Sequence, residues 1–432
     1  MTAQTSLKTN LPSDSHLNTI SKCRICGSAH ISPVLDLGHL ALTGVFPRPG
    51  QKDPPATPLE LVICEDCKFV QLRHTVNPGL MYQEYWYRSG TNQTMRDHLK
   101  GVVEDVLQHA KVVNGDVMID TGCNDGTLLS YYDSGLERIG IDPSNAIEMV
   151  KDKTIKCVND FFTAKNVRSI LGTRKAKAIT SISMFYDVNR PHDFVADIAS
   201  CLAPDGIWIV EMNYTGNMVR TLGYDMISQE HLAYYTLRVF EQLINQHKLY
   251  INDVSFNSIN GGSIRFICSF AQQEKPVVGE ARQRELADGL EDVATYLNYG
   301  KRIDSFKQKL VGLLQDIKSK GQRCGAYGAS TRGNTILQHC GITRDLVYAA
   351  ADRLPMKVGL EMSGSRIPII SEDQARQDKP DYMLVLPYYF LDEFIQREKA
   401  YLQDGGKFIV PLPELRVISW DANKPAHNTT VL

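Results

Sequence analysis

Glu230-His231 is the pair of side chains in this sequence best suited to moving a proton. It lies in Asp225-Met226-Ile227-Ser228-Gln229-Glu230-His231-Leu232-Ala233-Tyr234-Tyr235, which crowds acids, an imidazole and two phenols into one stretch. Imidazole titrates near neutral pH and an adjacent carboxylate can tune it, so His231 is a candidate general base with Glu230 beside it. A lone histidine in a loop is more often structural. What would give this one a task is a second reactant held nearby.

The stretch from Val117 to Pro143 supplies a place for one. Val117-Met118-Ile119-Asp120 reads as a buried parallel strand ending in an acid. Thr121-Gly122-Cys123-Asn124-Asp125-Gly126 follows, its two glycines allowing a sharp turn and close approach to a ligand. Leu128-Leu129 is expected to start a helix whose N-terminus faces that ligand. A second strand ends in Asp142, placed to take the hydroxyls of a ribose. A dinucleotide site would carry Gly-x-Gly-x-x-Gly and leave room for a pyrophosphate. Here Asp120 and Asp125 would repel phosphate, but they suit a nucleoside carrying an ammonium and a sulfonium, which is S-adenosylmethionine (SAM). Asn159-Asp160-Phe161-Phe162 then offers Asp160 to an exocyclic amine and Phe161 as a wall for adenine, and Ser183 ends the next strand.

Two further clusters could do chemistry. Cys23-x-x-Cys26 and Cys64-x-x-Cys67 are paired knuckles 37 residues apart, the donor set of a tetrahedral Cys₄ zinc site. Four sulfurs leave no open coordination position, so the expected zinc is structural and supplies folding free energy to a small module. Gly261-Gly262-Ser263-Ile264-Arg265 offers turn amides and a cation, either for a substrate oxygen or phosphate or as a plain hairpin. Arg323-Cys324-Gly325-Ala326-Tyr327-Gly328-Ala329-Ser330-Thr331-Arg332 looks like a second glycine loop opening a helix, with Arg332 able to neutralise a phosphate and Asp352 ending the next strand. Taken alone, this loop could also belong to a dinucleotide fold.

The elements that must carry these residues fall into three parts. Residues 1–20 read as a disordered tail, and 21–78 as a zinc ribbon-like module. Residues 79–275 read as a Rossmann-like α/β domain of the class I methyltransferase kind. It opens with an aromatic linker, Met81 to Gly90, that is either a packed hinge or a lid. A helix is expected from Thr94 to His109. Residues 276–432 open with two amphipathic helical stretches (Leu286, Leu290, Val293, Leu297; then Ile303, Phe306, Leu310, Leu313, Ile317), followed by a second Rossmann-like α/β pattern. The fold class is α/β.

With 47 Lys and Arg against 49 Asp and Glu, the 432-residue chain carries no basic excess, which argues against nucleic acid as its main partner. No apolar run reaches the length of a membrane span. Of ten cysteines, the six outside the knuckles are scattered through apolar stretches, as expected of free thiols in a reducing cytoplasm.

The ordered set formed by the paired knuckles, Tyr85-x-Tyr87-x-Ser89, Gly-Cys-Asn-Asp-Gly, Glu-His-Leu-x-Tyr-Tyr and Gly-Gly-Ser-x-Arg resembles the three-domain SAM-dependent sugar C-methyltransferases of deoxysugar biosynthesis. The resemblance runs from about Cys23 to Ile418. It implies a nucleotide-linked 4-keto-6-deoxyhexose as acceptor, His231 removing the proton at C3, and Glu230 orienting or tuning that histidine. Tyr85 or Tyr87 would contact the sugar or steady the enolate oxygen, and Ser89, Tyr234, Arg265, Tyr327, Arg332 and Asp352 would lie on the substrate side, in a monomer or homodimer. The chain departs from the family at Ser228-Gln229, where an aromatic and a second histidine are usual. It departs again at Ser363-Gly364-Ser365 and at Pro387-Tyr388. The rival readings are an O- or N-methyltransferase, a zinc-ribbon RNA-binding protein, and an NAD-linked enzyme built on the C-terminal part.

Overall fold

A computed structural model describes residues 17–81, 87–420 and 428–431. The chain begins with β1 (Leu17–Thr19), β2 (Ile31–Ala41), β3 (Ala56–Cys64), β4 (Val70–Leu72) and β5 (His74–Val76). β1 pairs antiparallel with β5, so the end of the expected tail is strand instead: Leu17 lies opposite Val76, whose buried side chain gives it an apolar surface to pack on. β2 and β3 form a long hairpin whose strands run from the knuckles to the loop at Leu42.

The middle domain follows α1 (Gln93–His109). Its strands are β6 (Val117–Thr121), β7 (Glu137–Ile141), β8 (Lys156–Val158), β9 (Ala176–Ile182), β10 (Leu202–Asn213), β11 (Ala233–Tyr234), β12 (Tyr250–Asn257) and β13 (Ser263–Ser269). Seven of them form one sheet in the order β12-β13-β10-β9-β6-β7-β8, with β13 alone antiparallel to its neighbours. This is the class I methyltransferase sheet, and its central strands β6 and β9 are buried runs as the sequence required. α2 (Ala164–Leu171), α3 (Pro191–Cys201), α4 (Thr215–Arg220) and α5 (Leu237–Asn245) complete the layer. One expectation fails. After Gly126 there is only a single 3-10 turn, Leu129–Tyr131, and no helix. Ser130, Asp133 and Gly135 explain it: Asp133 Oδ1 accepts from the Gly135 amide at 2.7 Å, closing a turn where a helix would have continued.

β11 does not join that sheet. It pairs with β4, so the order of the zinc module's sheet is β11-β4-β3-β2.

The C-terminal part begins with α6 (Pro276–Ala287) and the 27-residue α7 (Val293–Ser319). The stripe Ile303, Phe306, Leu310 and Ile317 is buried, whereas Leu286 and Leu297 are about half exposed, because the first helix stops at Ala287 and its periodicity breaks there. β14 (Cys324–Tyr327), α8 (Thr331–His339), β15 (Ala350–Asp352), β16 (Ile369–Ser371), β17 (Tyr382–Val385), β18 (Lys407–Val410), β19 (Arg416–Ser419) and β20 (Asn428–Val431) follow. They make a seven-stranded sheet, β16-β15-β14-β17-β18-β19-β20, parallel through β18.

The cores ignore the domain boundaries. Cys23, Cys64, Cys67 and Phe69 pack in one cluster with Phe185, Tyr235 and Phe240 of the middle domain. The opposite face of the zinc module joins Tyr224, Ile227, Leu310 and Ile336 in another. Among the described residues no helix is long and apolar enough to cross a membrane.

Candidate active site

The knuckles close identically: the Gly27 amide donates to Cys23 O at 3.0 Å and the Lys68 amide to Cys64 O at 2.9 Å. The four sulfurs lie within 4.8 Å of one another, with Cys23 to Cys67 at 3.6 Å and Cys26 to Cys64 at 3.4 Å. A Zn–S length of about 2.3 Å requires tetrahedral edges of roughly 3.8 Å, so the donors fit a zinc ion. Arg24 locks this centre onto the rest, donating to Leu72 O at 2.6 Å, Thr75 Oγ1 at 2.8 Å and Asn189 Oδ1 of the middle domain at 3.1 Å.

At the C-terminal edge of the middle sheet, Asp120 is buried and accepts from Thr180 Oγ1 at 2.6 Å. Burial pushes its carboxyl up to about 7, opposed by that hydrogen bond and reinforced by Asp142. Asp142 accepts from the Asn124 amide at 2.8 Å and from the Ser144 amide and hydroxyl. Gly122 and Gly126 both have positive φ, and a Cβ on Gly122 would meet Met184 Cγ at 2.9 Å, so the loop needs glycine there. Two carboxylates beside a tight loop accommodate a cationic nucleoside such as SAM. Asn124 and Asp125 reach outward and hold a strap over the loop: Asn124 Oδ1 accepts from the Ser89 amide at 3.0 Å and Asp125 Oδ2 from the Gly90 amide at 2.9 Å. Asn124 Nδ2 donates to Tyr87 O at 3.2 Å, while the Tyr87 ring is half exposed. Tyr85 lies outside the described residues. Asp160 is spent on the Phe161 amide and Asn166, leaving the Phe161 ring exposed at the sheet edge. Ser183, at φ 55°, turns the chain after β9 and accepts from Asn260 Nδ2 at 3.3 Å.

His231 sits at the wall of a narrow cleft lined also by Tyr186, Asn213, Tyr214, Met226 and Tyr234. Its Nδ1 lies 2.6 Å from Met226 O, which fixes Nδ1 as the protonated nitrogen and leaves Nε2 bare. The Tyr186 ring stands edge-on to the imidazole, with centroids 4.5 Å apart. Burial holds the His231 pKa down to about 4, against the raising effect of the Met226 carbonyl, and Arg332 lowers it further. The imidazole is therefore neutral at physiological pH. The Tyr214 hydroxyl lies against the Glu285 carboxylate and the Tyr234 hydroxyl against the Ser228 backbone.

Several expected roles need correction. Glu230 does not orient the imidazole, because a backbone carbonyl does. The Glu230 carboxyl turns to the zinc module instead, where a Cβ on Gly44 would stand 2.6 Å from its Oε1; burial raises it to about 7. Arg265 is not a substrate cation. It points into an ion cluster beneath the sheet, with Glu211 Oε2 at 2.6 Å, Asp105, and His98 Nε2 at 3.4 Å. The turn before it uses its own amides, Gly261 N on Ser258 O and Gly262 N on Ile259 O, so none remains for a phosphate. Tyr327 faces the far side of its sheet, donating to Glu398 Oε1 at 2.7 Å. The second glycine loop is no open phosphate cradle: Gly328 N donates to Ala351 O and Ala329 N to Asp352 Oδ2, at 2.8 and 2.9 Å. Arg332 is already neutralised by Asp225, with Nε and Nη2 at 2.8 and 2.7 Å from Oδ2.

Sequence reading missed Tyr186, Met226 O, Gly44 and the Tyr388-Tyr389 pair. Only the last carried a signal, as a departure from the family pattern: the Tyr388 hydroxyl donates to Asp225 Oδ1 at 3.0 Å and the Tyr389 ring stacks on Arg332 at 4.6 Å.

A class I sheet with an acid-lined glycine loop at its C-terminal edge is the fold of a SAM-dependent methyltransferase. Family profiles tile the chain in the same three parts: "Putative zinc binding domain" over residues 23–82, "Methyltransferase domain" over 95–252, and "C-methyltransferase C-terminal domain" over 258–413. The C-methyltransferase NovU of Streptomyces niveus is 29% identical over 411 residues, covering 93% of this chain and 97% of NovU. The chain is a SAM-dependent C-methyltransferase with an N-terminal zinc-binding domain, similar to NovU along nearly its whole length. Solved methyltransferase structures are more distant. Magnesium protoporphyrin IX methyltransferase from Synechocystis PCC 6803, bound to SAH, is 14% identical over 42% of this chain and 89% of its own, with a TM-score of 0.33. The plantazolicin methyltransferase BpumL is 13% identical over 42% and 87%, with a TM-score of 0.34.

Proposed function

We propose that the enzyme methylates C3, the carbon beside the ketone, of a nucleotide-linked 4-keto-6-deoxysugar, with His231 as the base. The observation that carries this reading is the pinned Nδ1, which leaves a neutral Nε2 as the free proton acceptor at the cleft wall. Carbon must become an enolate before it can be alkylated, so a base and a partner for the enolate oxygen are required, whereas O-methylation has less need of either. Bound SAM supplies an electrophilic methyl on a sulfonium. The protein holds the proton taken from the acceptor on His231 Nε2. An imidazole of low basicity in the empty cleft becomes a stronger base when an anion forms beside it, because the imidazolium and enolate then neutralise each other. Tyr234, which lines the same cleft, is the oxyanion donor of this scheme.

The experiment is proton exchange without cofactor. In D₂O, wild-type protein is expected to exchange the proton alpha to the ketone of a 4-ketosugar nucleotide, and His231→Asn to slow exchange and methylation by about 10²–10⁴ while binding SAM normally. Exchange at the wild-type rate in His231→Asn removes His231 as the base. Methylation without any exchange-competent carbon favours an O- or N-methyltransferase.

A further inference from the structure

Arg332 comes from the C-terminal domain, is 9% exposed, and spends every contact on the middle domain or on the tyrosines beside it. Its Nε and Nη2 fork onto Asp225 Oδ2, Nη1 donates to Asn260 O, and its plane lies against the Tyr389 ring. Asp225 is fully buried, with Arg332 and the Tyr388 hydroxyl as its side-chain partners among the described residues. It sits in the 3-10 turn Tyr224–Met226, directly before the residue whose carbonyl holds His231.

We infer that Arg332 is a positioning residue for the base: through Asp225 it fixes the Met226 carbonyl, and with it the tautomer and aim of His231. The argument is one of rigid links. An Asp carboxylate in an apolar turn is costly to bury unless paired, and a planar fork fixes its position more tightly than a point charge does. Asp225 and Met226 are adjacent, so fixing one carboxylate restrains the next peptide plane. That plane's oxygen selects the Nδ1–H form of the imidazole, since only a protonated nitrogen can donate to it. Asn260 ties the same knot to the cofactor side: its carbonyl accepts from Arg332 and, at 2.9 Å, from Asn213, and its amide donates to Ser183. Tyr388 stands where the family pattern differs, and here it supplies a bond to Asp225.

The catalytic consequence rests on the reading of His231 as the base, but the structural link does not. It is tested on full-length, zinc-loaded protein labelled with ¹⁵N-histidine, with His231→Asn used to assign the His231 resonances. Wild type should show Nδ1 protonated and Nε2 bare. Arg332→Lys keeps the charge and loses the fork; it is expected to populate both tautomers and to lower kcat about tenfold, with the Kd for SAM within about twofold. Tyr388→Phe removes one bond to Asp225 and should move both readouts the same way by a smaller factor, about two- to threefold. A His231 tautomer unchanged in Arg332→Lys overturns the inference, even if turnover falls. If Arg332→Lys does not fold, an unchanged tautomer in Tyr388→Phe overturns it. A mixed tautomer with full turnover supports the link and instead overturns His231 as the base.

Discussion

The two parallel sheets carry the same local device and use it for different ends. In each, a strand runs into a glycine turn and the next strand ends in an acid that accepts from a turn amide: Asp142 from Asn124 N at 2.8 Å, Asp352 from Ala329 N at 2.9 Å. In the middle domain a 3-10 turn follows, and the loop keeps a pair of carboxylates for a cation. In the C-terminal domain the turn opens the nine-residue α8, whose Arg332, Asn334, Thr335, Gln338 and His339 are all bonded across domain boundaries. One copy keeps its acids free of cross-domain partners, as the proposed donor site requires, and the other is a socket. What separates them is the side chains that follow the glycines, since the backbone arrangement is shared.

Exchanging the acids tests this contrast most strongly. Asp142→Ala should weaken SAM binding by about 100-fold in a calorimetric titration, while Asp352→Ala should leave it unchanged. A comparable loss in both would mean that the second loop also serves the donor. A smaller effect is expected at the socket face. Gln338 accepts from Ala41 N at 2.8 Å and donates to Ala41 O at 3.1 Å, so Gln338→Ala should cost about 1–3 kcal/mol of stability in denaturant unfolding without altering SAM affinity.

The smallest effect concerns Glu230, which lies where socket and cleft meet. Burial raises its folded pKa to about 7, so ionising it opposes folding: its favourable contribution is complete below the ordinary carboxyl range and is lost as pH rises through 7. Glu230→Gln should therefore gain on the wild type between pH 5 and 8, by roughly 1–2 kcal/mol, in a pH series of melting curves. A gain that shrinks with pH would place Glu230 in an ionised, partnered state.

Much of this was legible in the sequence, for reasons that are local. Each knuckle, each strand ending in Asp, and the buried stripe of α7 is specified by neighbours a few positions apart. Arg265, Arg332 and Tyr327 were misread because their partners, Glu211, Asp225 and Glu398, lie 54, 107 and 71 positions away. A cation beside glycines looks alike in one dimension whether it awaits a phosphate or is already paired. The missing helix after Gly126 is a milder case, since Asp133 and Gly135 stood in the sequence as turn formers and two leucines outweighed them. Glu230 and His231 were recognised as a pair, yet their side chains serve different surfaces, which adjacency along the chain conceals.

The strand that follows His231 belongs to someone else's sheet. β11 is the edge of the zinc module's sheet, its Ala233 opposite Gln71 and Tyr234 opposite Val70, and the Leu72 amide donates to Leu232 O at 2.9 Å. The segment bearing the imidazole is thus anchored downstream by the N-terminal module and upstream, at Asp225, by the C-terminal one. Such a chain makes a poor donor of parts: a chimera that swaps either flank for a relative's also swaps one of the two mounts on which the imidazole hangs.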